Sequence, residues 1–167
     1  EVLRRLPSES RPQFLFVGDG PLRPKIEREI ARLGIANHVQ LLGARRRSEV
    51  REILGRAAVF ALPSYQEAYP ISVIEARAVG VPVVARSPNG VSEIIEHGIN
   101  GLLADSTEQF IANLVTLMLN QPMRARMSAA ALNGIEYFSW EHGIQRHLTM
   151  YEQAIAKKIL PGNELSR

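Results

Sequence analysis

Residues 63–85 read PSYQEAYPISVIEARAVGVPVVA, and this stretch decides the fold. It is entered from a short apolar run, AVFAL at 58–62, and left through another, PVVA at 82–85. Short apolar runs without alternation, bounded by Gly or Pro, are the pattern of strands covered on both faces, as in parallel sheets. Residues 71–79 place apolar side chains at helical spacing, and Gly80 supplies the stop. Strand, loop, helix and strand make one βαβ unit. In an open parallel sheet ligands bind beyond the carboxyl ends of the strands, so the loop at 63–70 lies on the ligand edge.

The loop carries its own chemistry. Pro70 disfavours a helical conformation at Tyr69 and suits the first position of a helix, so the helix is expected to start at Pro70 with Tyr69 as its cap. The amides of Ile71 and Ser72 then point out of the helix mouth, where the dipole also favours an anion. The Ser72 hydroxyl adds a donor. Glu67 lies in the loop above the mouth, and Glu75 lies a little over one turn into the helix. Carboxylates accept hydrogen bonds from paired sugar hydroxyls, so Glu67 suits a hexose and Glu75 a ribose.

The same alternation runs outward in both directions. Strands are expected at 13–17 (QFLFV, buried on both faces), 39–42 and 102–103, with helices over 22–33, 92–96, 106–119, from Pro122 to about 134, and 140–159. Ser48 is expected to cap a helix over 50–57, and Ser106 with Gln109 reads as a capping box. Pro161 and Gly162 end the last helix, and a polar tail follows. Trp140 and Tyr151 are expected to be packing residues, and Met118, Met123 and Met127 core filler. The fold class is therefore α/β: a Rossmann-like three-layer α/β/α arrangement with a mostly parallel sheet, in one domain covering 1–167.

Composition removes several classes. There is no cysteine among the 167 residues, which excludes a disulfide scaffold and a Cys-ligated zinc. His38, His97, His142 and His147 are scattered without metal-ligand spacing, so no metal site is expected, and His97-Gly98 reads as a helix terminus. No run is long and apolar enough for a membrane helix, and residues 1–11 lack a signal-peptide core. A cytoplasmic setting is expected. The net charge is +3, with Arg45, Arg46, Arg47 and Arg51 clustered. No aromatic residue interleaves with these arginines, which argues against nucleic acid. Most of the cluster reads as solvated surface. Gly18-Asp19-Gly20 is a tight turn with potential ligand contact. Arg23 stands where a dinucleotide fingerprint needs its third glycine, so that motif fails.

Glu67 and Glu75, with seven residues between them, resemble the glutamate-pair motif of group 1 retaining glycosyltransferases. Further segments match in order: FLFVGDGPLRPKIE, NHVQLLG, AVFALPS before the pair, EARAVGVPVVAR and GVSEIIEHGINGLLAD after it, and FSWEHGIQRHLTMYEQ. The resemblance spans about residues 12–155. It implies the carboxy-terminal half of the two-domain GT-B architecture. An amino-terminal acceptor domain and the first strand of this domain would lie elsewhere, and the fragment alone would be inactive. Glu67 is then the catalytic candidate, a positioner of the donor sugar and not a nucleophile, while Glu75 binds the ribose. Tyr69, Pro70, Ile71 and Ser72 approach the diphosphate or sugar. Gly18 and Gly20 line the cleft, and Gly43 and Arg45 lie near the base.

The resemblance also implies a nucleoside-diphosphate sugar as donor, with no cofactor and no protein-bound metal. The acceptor is a sugar, lipid or polysaccharide, and peripheral membrane association belongs to the full-length protein alone. In the front-face mechanism of such enzymes the leaving diphosphate helps deprotonate the acceptor. Two departures stand out: Ala68 and Pro70 replace glycines common in the family, and the arginine and lysine that clamp the diphosphate have no match here. Alternatives are a non-catalytic nucleotide-sugar-binding module, or another GT-B-like enzyme such as an epimerase or a phosphorylase. A glycosidase pair of carboxylates fits the same separation, but the phosphate-ready helix mouth favours an activated donor.

Overall fold

A computed structural model describes residues 1–159. The expected stop at Pro161-Gly162 and the polar tail lie outside the described residues. The chain forms two compact units, Glu1–Asn133 and a second from Gly134 onward.

Among the described residues the first unit contains every strand. In chain order it runs α1 (Val2–Arg5), β1 (Phe14–Val17), α2 (Arg23–Leu33), β2 (Val39–Gly43), α3 (Arg47–Gly55), β3 (Phe60–Leu62), α4 (Ile71–Ala78), β4 (Val83–Arg86), β5 (Gly101–Ala104), α5 (Thr107–Leu119) and α6 (Gln121–Ala131). Strand pairing is parallel throughout these elements, as the βαβ reading requires. It is divided, however, between a two-stranded sheet, β1-β2, and a three-stranded sheet, β3-β4-β5. The α/β class with parallel strands is as expected; β1 pairs with β2 and β4 with β3 and β5, and no ladder joins the two sets among the described residues.

The core lies on the three-stranded sheet. Val84, Leu102 and Ala104 pack against Phe110, Leu114 and Leu117 of α5 and Met127 of α6. All four β4 residues are buried. β1 is the opposite case: Leu15, Phe16 and Val17 keep 41–50% of their surface exposed, so the expected burial on both faces does not occur. A continuous apolar run shows that a strand can be covered, not that it is.

Helix ends follow local chemistry. Gly80 adopts a left-handed φ of 74°, its amide donates to the Arg77 carbonyl, and the Val81 amide donates to that of Ala76. This is the Schellman closure that a glycine favours. Ser106 Oγ accepts from the Gln109 amide at 3.1 Å, but the return bond to Gln109 Oε1 comes from Asp105, not from the cap itself. Ser48 does not cap α3. Arg46 is the N-cap, and its amide donates to Glu49 Oε2 at 2.9 Å.

The second unit is a short 3-10 turn, Ile135–Phe138, leading into α7 (Trp140–Ile159). Within it Arg146 stacks 4.0 Å from the Tyr137 ring centroid. Trp140 and Tyr151, expected to pack, are 82% and 62% exposed. They border a shallow apolar groove of about 270 Å³ with Ile144, His147 and Leu148. No helix among the described residues is long and apolar enough to cross a membrane.

Candidate functional site

Three chain segments carry the expected residues at the carboxyl ends of the strands. The turn after β1 and the end of β2 are joined directly: the Gly18 amide donates to the Gly43 carbonyl at 2.9 Å. Gly18 has φ 129° and Gly43 φ 72°, values that side chains rarely adopt, so both positions favour glycine for backbone reasons. A Cβ at Gly43 would sit 3.6 Å from Asp19 Oδ2 and from Arg23 Nη1. Gly20 is different. Its amide donates to Asp19 Oδ1 at 2.8 Å, and nothing lies within 4 Å of the space a Cβ would occupy. Arg23 secures this corner through Nη2 to the Leu41 carbonyl at 3.2 Å and Nε to Glu27 at 2.9 Å.

The loop after β3 opens onto α4. Pro70 is the N-cap and Ile71 the first helical residue, one position later than expected, with extended φ −75° and ψ 99° at Pro70. Its carbonyl accepts from the Val73 amide at 3.1 Å. The amides of Ile71 and Ser72 have no hydrogen-bond acceptor among the described residues. The opening is not covered: Ile71 is 58% and Tyr69 49% exposed, while Pro70 is buried beneath. Glu67 is half-buried in the loop, and Glu75 is half-buried on α4.

α4 is fixed by a residue that the sequence reading passed over. Arg77 is buried, and its guanidinium donates to the carbonyls of Ile94 (2.7 Å), Asn133 (2.7 Å) and Ala131 (3.2 Å). Burial holds its pKa below the ordinary arginine value. An arginine on the inner face of a short helix, two residues after Glu75, was the available signal.

The arginine cluster also resolves into individuals. Arg45, the expected neighbour of the base, is exposed and donates only to its own Ala44 carbonyl, at 3.4 Å. Arg47 instead reaches Glu75, Nε to Oε1 at 3.7 Å. It ties the start of α3 to the carboxylate expected to bind ribose. The Arg47 side chain is 85% exposed, so the pair contributes roughly 0–1 kcal/mol and weakens with salt.

The segment after β4 underlies the Glu67 loop. The Gly90 amide donates to the Glu67 carbonyl at 2.7 Å. A Cβ at Gly90 would overlap the Ala68 carbonyl oxygen, and it would lie 2.7 Å from the Glu67 oxygen. Here glycine is required by close approach. His97, expected at the end of a helix over 92–96, lies instead past a 3-10 turn that stops at Glu93; it bridges to Gly101, and its Nδ1 accepts from the Leu103 amide at 2.9 Å. Among the described residues no three His, Cys, Asp or Glu side chains group closely enough to hold a metal ion.

Known proteins share this layout. The model for glycosyl transferases group 1 matches residues 1–134. D-inositol 3-phosphate glycosyltransferase from Stackebrandtia nassauensis is 34% identical over 168 residues, covering 95% of this chain and 38% of that protein. Among solved structures, Anabaena HepE in complex with UDP superposes with a TM-score of 0.78 over 92% of this chain and 43% of its own, at 24% identity. Staphylococcus aureus TarM, solved with UDP among its ligands, gives 0.78 at 25% identity, covering 90% of this chain and 30% of its own. The chain thus spans less than half the length of the relatives it matches. An α/β fold of parallel strands, a family match over four-fifths of the sequence and relatives at one-third identity agree: the chain belongs to the group 1 glycosyl transferases.

Proposed function

We propose that this chain is the donor-binding domain of a retaining, metal-independent glycosyltransferase, and that it holds a nucleoside-diphosphate sugar at the opening of α4. The observation that carries the reading is that opening. Two amides without acceptors, Ile71 and Ser72, face outward at the positive end of a helix, with one carboxylate before them in the loop and another on the helix. A diphosphate supplies the anion those amides lack. Glu75 accepts the ribose hydroxyls, and Glu67 accepts a hydroxyl of the hexose and so aims the anomeric carbon. The UDP in the TarM complex makes a uridine nucleotide the first candidate.

Transfer needs an acceptor held opposite the sugar, and we assign that task to a second domain, as in the GT-B architecture. The unpaired edges of β1 and β3 and the exposed apolar residues of β1 support a further strand completing one sheet. The acceptor class is a sugar, lipid or polysaccharide, reached at a membrane face by the whole protein. In a front-face reaction the departing diphosphate takes the acceptor proton, which leaves Glu67 to position the sugar and not to attack it.

Calorimetric titration of the chain with UDP and GDP tests the reading. Glu75→Ala removes charged hydrogen bonds to ribose, and about a tenfold to hundredfold loss of affinity is expected. Nucleotide binding unchanged by that substitution would falsify the assignment of the site.

A further inference from the structure

The two carboxylates of the site are held by different anchors, and the anchor of the Glu67 loop has a feature that the donor-binding reading does not require. The loop is tied at three points to the segment just after β4. The Gly90 amide donates to the Glu67 carbonyl at 2.7 Å, and Asn89 Nδ2 approaches the Ser64 carbonyl at 3.5 Å. The third tie is a stack: the Tyr65 ring lies over the Arg86 guanidinium, 4.1 Å from centroid to carbon.

Arg86 is an uncommon residue in such a place. It ends β4, is only 6% exposed, and has no carboxylate partner among the described residues. Nη2 donates to Thr107 Oγ1 at 2.7 Å, Phe110 lies 5.6 Å away on the core side, and Nε finds no acceptor. A buried cation in this position is stabilised chiefly by the electron-rich faces of its aromatic neighbours, and that attraction strengthens as water is excluded. Tyr65 is the lid that excludes it. Its hydroxyl reaches Thr107 Oγ1 at 3.4 Å, while 71% of the residue remains exposed. Tyr65 therefore contributes little to the core, yet it closes over Arg86 two residues before Glu67.

α4 has its own anchor, the three carbonyl bonds of Arg77, which do not involve the loop. The nucleotide half of the site, Glu75 and the helix amides, is thereby held separately from the sugar half.

We propose that Tyr65 and Arg86 are positioning residues for the donor sugar: their stack holds the loop so that Glu67 faces the hexose, and it sets affinity for the sugar portion without affecting the nucleotide. This rests on the donor-binding function proposed above. Its signature is the ratio of affinities for a nucleotide sugar and the matching nucleotide, which a general loss of folding does not change selectively.

The experiment titrates the 167-residue chain and its variants with UDP and UDP-glucose, and with GDP and GDP-mannose as a second pair. Tyr65→Ala is expected to fold, because the residue is mostly exposed. It should leave nucleotide affinity unchanged while the nucleotide-sugar advantage falls about five- to tenfold. Tyr65→Phe keeps the ring over Arg86 and should retain the advantage. Glu67→Gln should lose it. An advantage preserved in Tyr65→Ala but lost in Glu67→Gln overturns the positioning role and leaves the donor site standing. An unaltered chain that binds the nucleotide sugars no better than the nucleotides also overturns the positioning role. If it binds neither nucleotide, the proposed function falls and takes this inference with it.

Discussion

The two sheets are made of similar sequence and live in different surroundings. QFLFV and PVVA are both short unalternated apolar runs, yet the residues of β1 stay about half exposed while those of β4 are buried. β4 lies between two partner strands and beneath α5 and α6, whereas β1 has one partner. Apolarity makes burial favourable, but the number of neighbours decides how much of it is realised. The site inherits the contrast. Glu67 and Glu75 are carried by the well-packed side, and Gly18, Gly20 and Gly43 by the sparsely covered one.

The largest effect should come from cutting the same side chain on each side. Leu117→Ala, in the fully buried centre of the core, is expected to cost about 3–4 kcal/mol, while Leu15→Ala should cost less than about 1 kcal/mol. Urea unfolding gives both values. Equal losses would mean that β1 is packed as tightly as the core. Next comes Arg77→Met, which keeps bulk but leaves the carbonyls of Ile94, Ala131 and Asn133 without their donor. A loss of about 3 kcal/mol is expected, with partial recovery in Arg77→Lys. A stable Met variant would show that water replaces the guanidinium.

Glycines sharpen the contrast. A Cβ at Gly101 would meet the Val83 carbonyl at 2.6 Å, so Gly101→Ala should destabilise by about 1–3 kcal/mol. Gly20→Ala meets nothing and should stabilise by about 0.4–1 kcal/mol through a less flexible unfolded chain. If Gly20→Ala nevertheless weakens nucleotide binding, the ligand's backbone approach, not the fold, requires that glycine.

The smallest effect is electrostatic. Arg5 donates to both oxygens of Glu108, at 2.7 and 3.0 Å, and this hydrogen bond holds the Glu108 carboxyl below the ordinary carboxylate range. A lowered folded pKa stabilises above the unfolded value, and the gain disappears as pH falls through the folded one. Glu108→Gln should therefore lower the thermal midpoint slightly at neutral pH. The difference should shrink below the ordinary glutamate pKa of about 4.3. A difference that persists in acid would point to lost packing instead.

Element positions were legible because they are written locally. Gly34 and Gly80 terminate helices in left-handed conformations, Ser106 caps α5, and α7 begins at Trp140 as its pattern says. The split of the sheet was not legible, since a strand's apolar run does not name its partners. Within the site the loop and helix opening could be read from Pro70 and the two glutamates. The partners of Arg77, Arg86 and Gly90 could not, because they lie 17 to 56 residues away and only folding brings them near. Arg47 was visible only as one member of a charged run, and its pairing with Glu75 depends on how α3 meets α4.

The Gly90 amide, donating to the carbonyl of Glu67, gives the molecule a natural clock. Its proton can exchange with solvent deuterium only when the loop lifts, so the rate at that one position times the opening of the sugar side. The core amides of β4 and β5 time global unfolding on a slower hand.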